Sequence, residues 1–406
     1  MLKPERKSSI SVRLRRAPTQ YKPVSRIAVG GMAEVWRGTA TFEGGDEYPV
    51  AIKRVLPHIT DPLFRAMFKD EARLGMTLRH PNIVPVYDAR DIGGTYLMIM
   101  ELVDGDSLKG LLDRAFEAAR PMPEATALYI AQQLAAGIAY AHRAVDANGK
   151  PMNIIHRDVS PHNLLLGKNG VVKLTDFGLA DAADNSALGE GMIGGKFGYL
   201  APEIVRQEPH GQPVDVFALG VILWEMLAGR RLFHGRDDAE TVRKVAACEV
   251  PPLPAVNPRV SGAVDELVRH TLQSQPVNRI PSAADFSDEA LGLLARIDSE
   301  VGPKDVQLLM GLHSAMKARK VEARSAASLQ KRWTSPRCCP ASSMPLPRRS
   351  RARPWSWARS PSTRTRSASR RCSVAATWGR SLPSAERTGA GCLARPTLEA
   401  GAAHAR

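Results

Sequence analysis

Four short stretches stand in one order along the chain and constrain its fold more than any bulk property. "VAIK" ends at Lys53, "HRDVSPHN" runs from His156 to Asn163, "DFG" from Asp176 to Gly178 and "APE" from Ala201 to Glu203. Any one arises easily by chance; the four in this order do not. In the second stretch, an Asp followed five residues later by an Asn is a spacing that can put a proton acceptor and a metal ligand at one phosphate. From about Arg26 to Met100 the pattern is strand-like and glycine-punctuated, with one helical insert, "PLFRAMFKDEARLGMTLRH". From Ser107 to about Ala295 helical periodicities dominate, as in "ATALYIAQQLAAGIAYAHRA" and "DVFALGVILWEMLAG". The expected class is α+β, with a small β-rich N-terminal lobe and a larger α-helical C-terminal lobe.

On these motifs the chain resembles a eukaryotic-like protein kinase, and "GGMAEV" with "HRDVSP" resembles the bacterial Ser/Thr branch. The resemblance covers about Arg26 to Ala295. It implies the two-lobed kinase fold over residues 21–296, with the N-lobe to about 100, a hinge at 101–106 and the C-lobe at 107–296. It also implies ATP and Mg2+ as cofactors, protein Ser/Thr hydroxyls as acceptors, and a role in intracellular signalling. Lys53, on the strand "YPVAIKRV", would hold the α- and β-phosphates, and Glu71 would aim it; Asp70 points about 100° off that helical face. Asp176 and Asn163 would ligate magnesium, and Asp158 would orient the acceptor hydroxyl as general base. His156 and Phe177 are packing residues on this resemblance.

The nucleotide-covering loop "IAVGGMAEVWRG" has Ala28 and Ala33 where the family's first and third glycines stand, while Gly30, Gly31 and Val35 remain. Gly30 and Gly31 must then provide any close backbone approach to phosphate. Val35, Ala51 and Leu165 would enclose the adenine, Glu101 and Val103 would offer it backbone hydrogen bonds, and Met100 would limit the pocket behind. Glu203 would pair with Arg279, and Asp215 would bond the backbone beneath "HRD". Those two features separate protein kinases from small-molecule kinases with a related core.

Two more positions depart from the family. Gly75 stands four residues after Glu71, where a larger apolar residue is usual. Ser160 stands two after Asp158, where a lysine touches the transferred phosphate, and Lys196 in "GKFGYLAPE" takes the place of a threonine that bonds that lysine and the Asp. The expectation is an exchange of roles, Lys196 supplying the cation and Ser160 the hydroxyl. A pseudokinase scaffold would lose Lys53, Asp158 or Asp176, and none is lost. Between "DFG" and "APE" the hydroxyls are Ser186 and Tyr199. A phosphate at Ser186 would meet Arg157, or Asp181 and Asp184 would serve without modification.

The net charge of +15 belongs to one end of the chain. Residues 331 to 406 hold one Lys and 15 Arg against two Glu, a net +14, so the other 330 residues carry +1. The globular part thus gives no electrostatic case for a polyanion partner; nucleic acid would fall to the tail, through Trp355, Trp357 and the arginines. From about Thr334 the sequence lacks Asp, Asn, Gln, Ile, Phe and Tyr and cannot build an ordinary core. It reads as a disordered Arg/Ser/Pro-rich tail over 334–406, or as a GC-rich coding region translated out of frame. Residues 297–333 read as a helical extension with a moderate apolar stripe, and residues 1–20 as a basic lead without the apolar run of a secretory signal. Four of five cysteines lie in the tail with no disulfide or zinc spacing, and no window approaches the ~18 apolar residues of a membrane span. A reducing cytoplasm is the expected home, with no membrane partner.

Overall fold

The computed structural model describes residue 18 and residues 20–177 and 196–334, with side chains as far as residue 318. Strands β1 (Gln20–Val29), β2 (Ala33–Thr41), β3 (Glu47–Val55), β4 (Val86–Ile92) and β5 (Thr95–Glu101) form an antiparallel sheet in the order β1-β2-β3-β5-β4. Strand β1 begins at Gln20, six residues before the strand-like pattern becomes evident in the sequence. Helix α1 (Pro62–Thr77) packs on one face of the sheet.

Alternation along β3 explains where Lys53 points. Val50 and Ile52 face a cluster with Ala40, Phe42 and Ile99, whereas Ala51 and Val55 face a second cluster built with Phe64, Phe68 and Ala72 of α1. Lys53 shares the parity of Ala51 and Val55, so its side chain leaves the sheet toward α1. That helix starts at Asp61, whose carboxylate accepts from Leu63 N, with Pro62 at its first position. Its buried stripe is Phe64, Phe68, Glu71, Ala72 and Gly75, a helical spacing in which one acid interrupts the apolar run.

After residues 102–104, which join β5 to it, β6 (Gly105–Ser107) pairs with β7 (Leu164–Gly167), and β7 with β8 (Val172–Leu174), as a small second sheet that takes in the last two residues of the expected hinge. Helices α2 (Leu108–Glu117), α3 (Glu124–His142), α4 (Pro202–Val205), α5 (Pro213–Ala228), α6 (Asp238–Ala247), α7 (Leu253–Val256), α8 (Gly262–Thr271) and α9 (Ala283–Ile297) build the larger lobe. Helix α5 is apolar on all sides except for Asp215 and Glu225, as suits a helix at the centre of a core, and is buried from Val214 to Leu227. It ends on Gly229, whose φ of 65° is the left-handed conformation glycine adopts without strain.

Helix α10 (Pro303–Thr334) follows a break at residues 298–302, so the extension is a separate helix rather than a continuation of α9. Pro303 cannot accept a place in a helix interior, and Asp305 caps the new start by accepting from Gly302 N at 2.9 Å. Among the described residues no helix is long and apolar enough to cross a membrane.

Candidate active site

Lys53 Nζ lies 2.7 Å from Glu71 Oε1 and 2.8 Å from Asp176 Oδ1. The first two are 7% and 2% exposed. Burial by itself would lower the Lys53 pKa, but Asp176 and Glu71 raise it above its ordinary value, so the ammonium stays charged. Burial also opposes ionisation of Asp176, yet Lys53 outweighs it and holds that carboxyl below its usual range. Burial pushes Glu71 up; Lys53 offsets this in part, and the Asp176 charge adds to it. Asp70, one residue earlier, is exposed and pairs with Arg73.

The acceptor side is built on Asp158. Asn163 Nδ2 donates to Asp158 Oδ2 at 2.8 Å and to its carbonyl at 2.9 Å, and Lys196 Nζ lies 2.6 Å from the same Oδ2. The loop is pinned from below by Asp215, 1% exposed, which accepts from His156 N, Arg157 N and His142 Nε2, each at 2.8 Å. Arg157 at φ 58°, next to Asp158, and Asp176 itself at φ 61° adopt left-handed backbone, a strain of order 1 kcal/mol or more apiece. His156 is a core residue, edge-on to Phe177 at 4.5 Å with Nε2 3.0 Å from Thr175 O.

One expectation fails in part. Lys196 does reach Asp158, but Ser160, 1% exposed, turns its hydroxyl into the lobe, where it finds no hydrogen-bond partner among the described residues. The exchange of roles is therefore one-sided among the described residues: Lys196 and Asn163 meet Asp158 Oδ2, and the Ser160 hydroxyl meets neither. His162, beside them, is held down to about 4 by burial and by Lys196, Lys109 and Arg231, so it is neutral at pH 7. Gly178, Asp181, Asp184 and Ser186 lie outside the described residues, as does the tail from residue 335.

The nucleotide side follows its motif more closely. Gly30 N donates to Ala33 O at 2.8 Å, closing a tight turn, and Gly31 has open space beside its Cα. Ala28 pairs opposite Val35 in the β1–β2 ladder. Val35, Val103 and Leu165 are half-buried around Ala51, and Met100 is buried behind them. Glu101 gives its amide hydrogen to Pro85 O at 3.1 Å. Its carboxylate pairs with Lys173 at 3.0 Å, a contact not foreseen although a lysine inside "VVKLT" was its signal. Gly75 also finds its reason: a Cβ there would sit 2.4 Å from Val86 Cγ2, so Val86 fills the space a larger residue would take. The Glu203 carboxylate and Arg279 guanidinium, 1% and 4% exposed, form a two-bond fork at 2.6 Å each, beneath the platform after Lys196.

A model of the protein kinase domain matches residues 21–289. The chain belongs to the protein kinase family. It is 35% identical over 270 residues to the tyrosine-protein kinase MasK of Myxococcus xanthus, covering 66% of this chain and 42% of that one. It is 32% identical over 274 residues to the serine/threonine-protein kinase PrkC of Bacillus subtilis, 67% and 40% of the two chains. It is 32% identical over 283 residues to the serine/threonine-protein kinase PknA of Mycobacterium tuberculosis, 68% and 62%. The chain thus spans 40% to 62% of the length of these curated relatives.

The family uses ATP and a divalent metal, and the oxygens present fit one. Among the described residues no cluster of three His, Cys, Asp or Glu could hold a metal unaided. A hard cation taking one or two protein oxygens plus phosphate oxygens needs no such cluster. Asn163 spends its amide hydrogens on Asp158, which leaves its carbonyl oxygen as a donor, and Asp176 binds Lys53 through Oδ1 alone.

Proposed function

We propose that the chain transfers the γ-phosphoryl group of Mg-ATP to Ser/Thr hydroxyls of proteins, itself among them, as part of an intracellular signalling system. Lys53, aimed by Glu71, holds the α- and β-phosphates; Asp176 and Asn163 hold magnesium, which neutralises phosphate charge; Asp158 orients the acceptor hydroxyl. Lys196 supplies a cation beside Asp158. Ala28, Gly30 and Gly31 cover the phosphates, Val35, Ala51 and Leu165 enclose the base, and Glu101 and Val103 meet its edge. The observation that carries this reading is the pair of occupied carboxylates, Lys53 on Asp176 and Lys196 with Asn163 on Asp158. A catalytic domain at 21–296 is the working unit, and Ser186 is the site in the activation segment open to autophosphorylation. With +1 net charge outside residues 331–406, its partners are proteins rather than nucleic acid or membrane, and a cytoplasmic location suits it.

Pro161 in "VSPHN" favours Ser/Thr acceptors, because tyrosine-specific loops carry a different run there. The resemblance to a relative named a tyrosine-protein kinase supports tyrosine as the second reading. Incubation of the purified chain with labelled ATP, magnesium and a mixed protein substrate, followed by phosphoamino-acid analysis, separates them. Phosphoserine and phosphothreonine are expected, absent in Asp158→Asn; phosphotyrosine as the main product would favour the second reading.

A further inference from the structure

The match to the kinase domain ends at residue 289, but the packed structure does not. Helix α10 seats Val306 and Met310, 0% and 2% exposed, against the larger lobe. Gln307 Nε2 donates to Asn169 O at 3.0 Å, in the turn between β7 and β8. That turn passes so close that a Cβ on Gly170 would lie 2.1 Å from Pro303 O, and its φ of 83° calls for glycine as well.

Two turns further along, His313 is 5% exposed, with Nε2 3.0 Å from Asp106 Oδ2 and Nδ1 accepting from Arg114 Nε at 3.1 Å. Arg114 Nη2 also lies against both ring nitrogens and 3.7 Å from Asp106 Oδ2, so His313, Arg114 and Asp106 form one cluster. Lys317 Nζ lies 3.1 Å from the same oxygen, and Ser107 N donates to Oδ1 at 2.9 Å. The hydrogen bond from His313, with Lys317 and Ser107, holds the Asp106 carboxyl well below the usual range despite its burial.

Asp106 lies on β6, opposite Leu166, and its neighbour Ser107 lies opposite Leu165. Leu165 is the floor of the nucleotide cleft, and Asn163 immediately precedes β7. The residues that α10 holds are therefore the reverse side of the strands whose front faces the nucleotide.

We propose that α10 is a working part of the kinase module, bracing the nucleotide floor through β6, and that His313 is a positioning residue acting through Asp106. It ties Asp106 to α10 within a cluster that also holds Arg114, which fixes β6. This rests on the kinase reading only for the identity of the nucleotide. Loss of that tie frees Asp106 and loosens the floor, so nucleotide affinity falls while the chemistry at Asp158, on another loop, is little changed.

The test is the equilibrium affinity of the full chain for a fluorescent ATP analogue, with KM for ATP and kcat beside it. His313→Ala should weaken nucleotide binding and raise KM about five- to ten-fold, with kcat within about two-fold of wild type. His313→Gln, whose amide can both donate and accept, should restore most of the affinity. Unchanged affinity in His313→Ala, even with a lowered melting temperature, would mean that the contact is only structural and would overturn the proposal. Equal losses in the Ala and Gln variants would do the same. If His313→Ala does not fold, Asp106→Asn takes its place with the same two outcomes. Wild-type chain that fails to bind the analogue would remove the kinase reading itself, a result distinct from variants that bind as wild type does.

Discussion

The two sides of the cleft are built differently. On the nucleotide side one lysine is held between two carboxylates, all three residues stand at their motif positions, and the cation is nearly buried. On the acceptor side the motif's lysine is absent, and a lysine 36 positions further along, Lys196, reaches back to Asp158. Lys53 is fixed by strand and helix, whereas Lys196 precedes a single 3-10 turn, Phe197–Tyr199. One charge arrangement is thus specified by regular secondary structure and legible from it; the other is specified by a loop contact. What both sides preserve is a cation against each functional carboxylate.

The largest expected effect lies on the nucleotide side. Lys53→Met leaves Glu71 and Asp176 without their counter-charge and should lower phosphoryl transfer by of order 10³-fold with the fold intact. Near wild-type turnover would show that another cation holds the phosphates and that the two sides are not so different.

On the acceptor side, Tyr199 donates to Glu225 at 2.6 Å and Arg231 bonds the Tyr199 hydroxyl at 2.7 Å. Burial pushes Glu225 up to about 7, only partly offset by Arg231, Tyr199 and Leu232 N. An acid whose folded pKa is raised contributes its stability in full below its unfolded value near 4.5 and loses it as pH rises through about 7. The wild-type chain should therefore lose of order 2 kcal/mol between pH 5 and 8 from this group, and Glu225→Gln should flatten that slope. Chemical denaturation at the two pH values measures it; parallel slopes in wild type and variant would contradict it.

A smaller effect tests the packing behind Glu71. Gly75→Leu forces a side chain into the space held by Val86 and should cost about 1–3 kcal/mol, with Val86→Ala in the same chain recovering much of the loss. Thermal melting reads both. The smallest effect is expected at Ser160. Its buried hydroxyl has no partner among the described residues, so Ser160→Ala should leave kcat within about two-fold and stability unchanged or slightly raised. A large loss of turnover would restore the hydroxyl to the role the sequence suggested.

The sequence showed what periodicity and short-range motifs encode. The strand parity of "YPVAIKRV", the stripe of α1 that carries Glu71, and the Asp158–Asn163 spacing all have local causes, and the structure brings those residues together. Pairing of Glu203 with Arg279 and of Asp215 with the backbone of His156 and Arg157 was legible only because the family resemblance links distant positions. Contacts with neither a local period nor a family precedent were missed. Lys173 on Glu101, Val86 in the space beside Gly75, and His313 on Asp106 each join residues across at least 11 positions and up to 207. The direction of the Ser160 hydroxyl was misread because a loop rotamer is set by packing rather than by spacing.

The acceptor side's dependence on Lys196 is the central claim, and steady-state kinetics of Lys196→Ala tests it most directly. A cation that acts as charge moves onto the leaving and accepting oxygens contributes mainly in the transition state. The variant should therefore lose about 10²-fold in kcat while KM for ATP stays within about three-fold, as removal of one such contact commonly does. A wild-type kcat, or a loss confined to KM, would show that Lys196 neutralises Asp158 without taking part in the reaction.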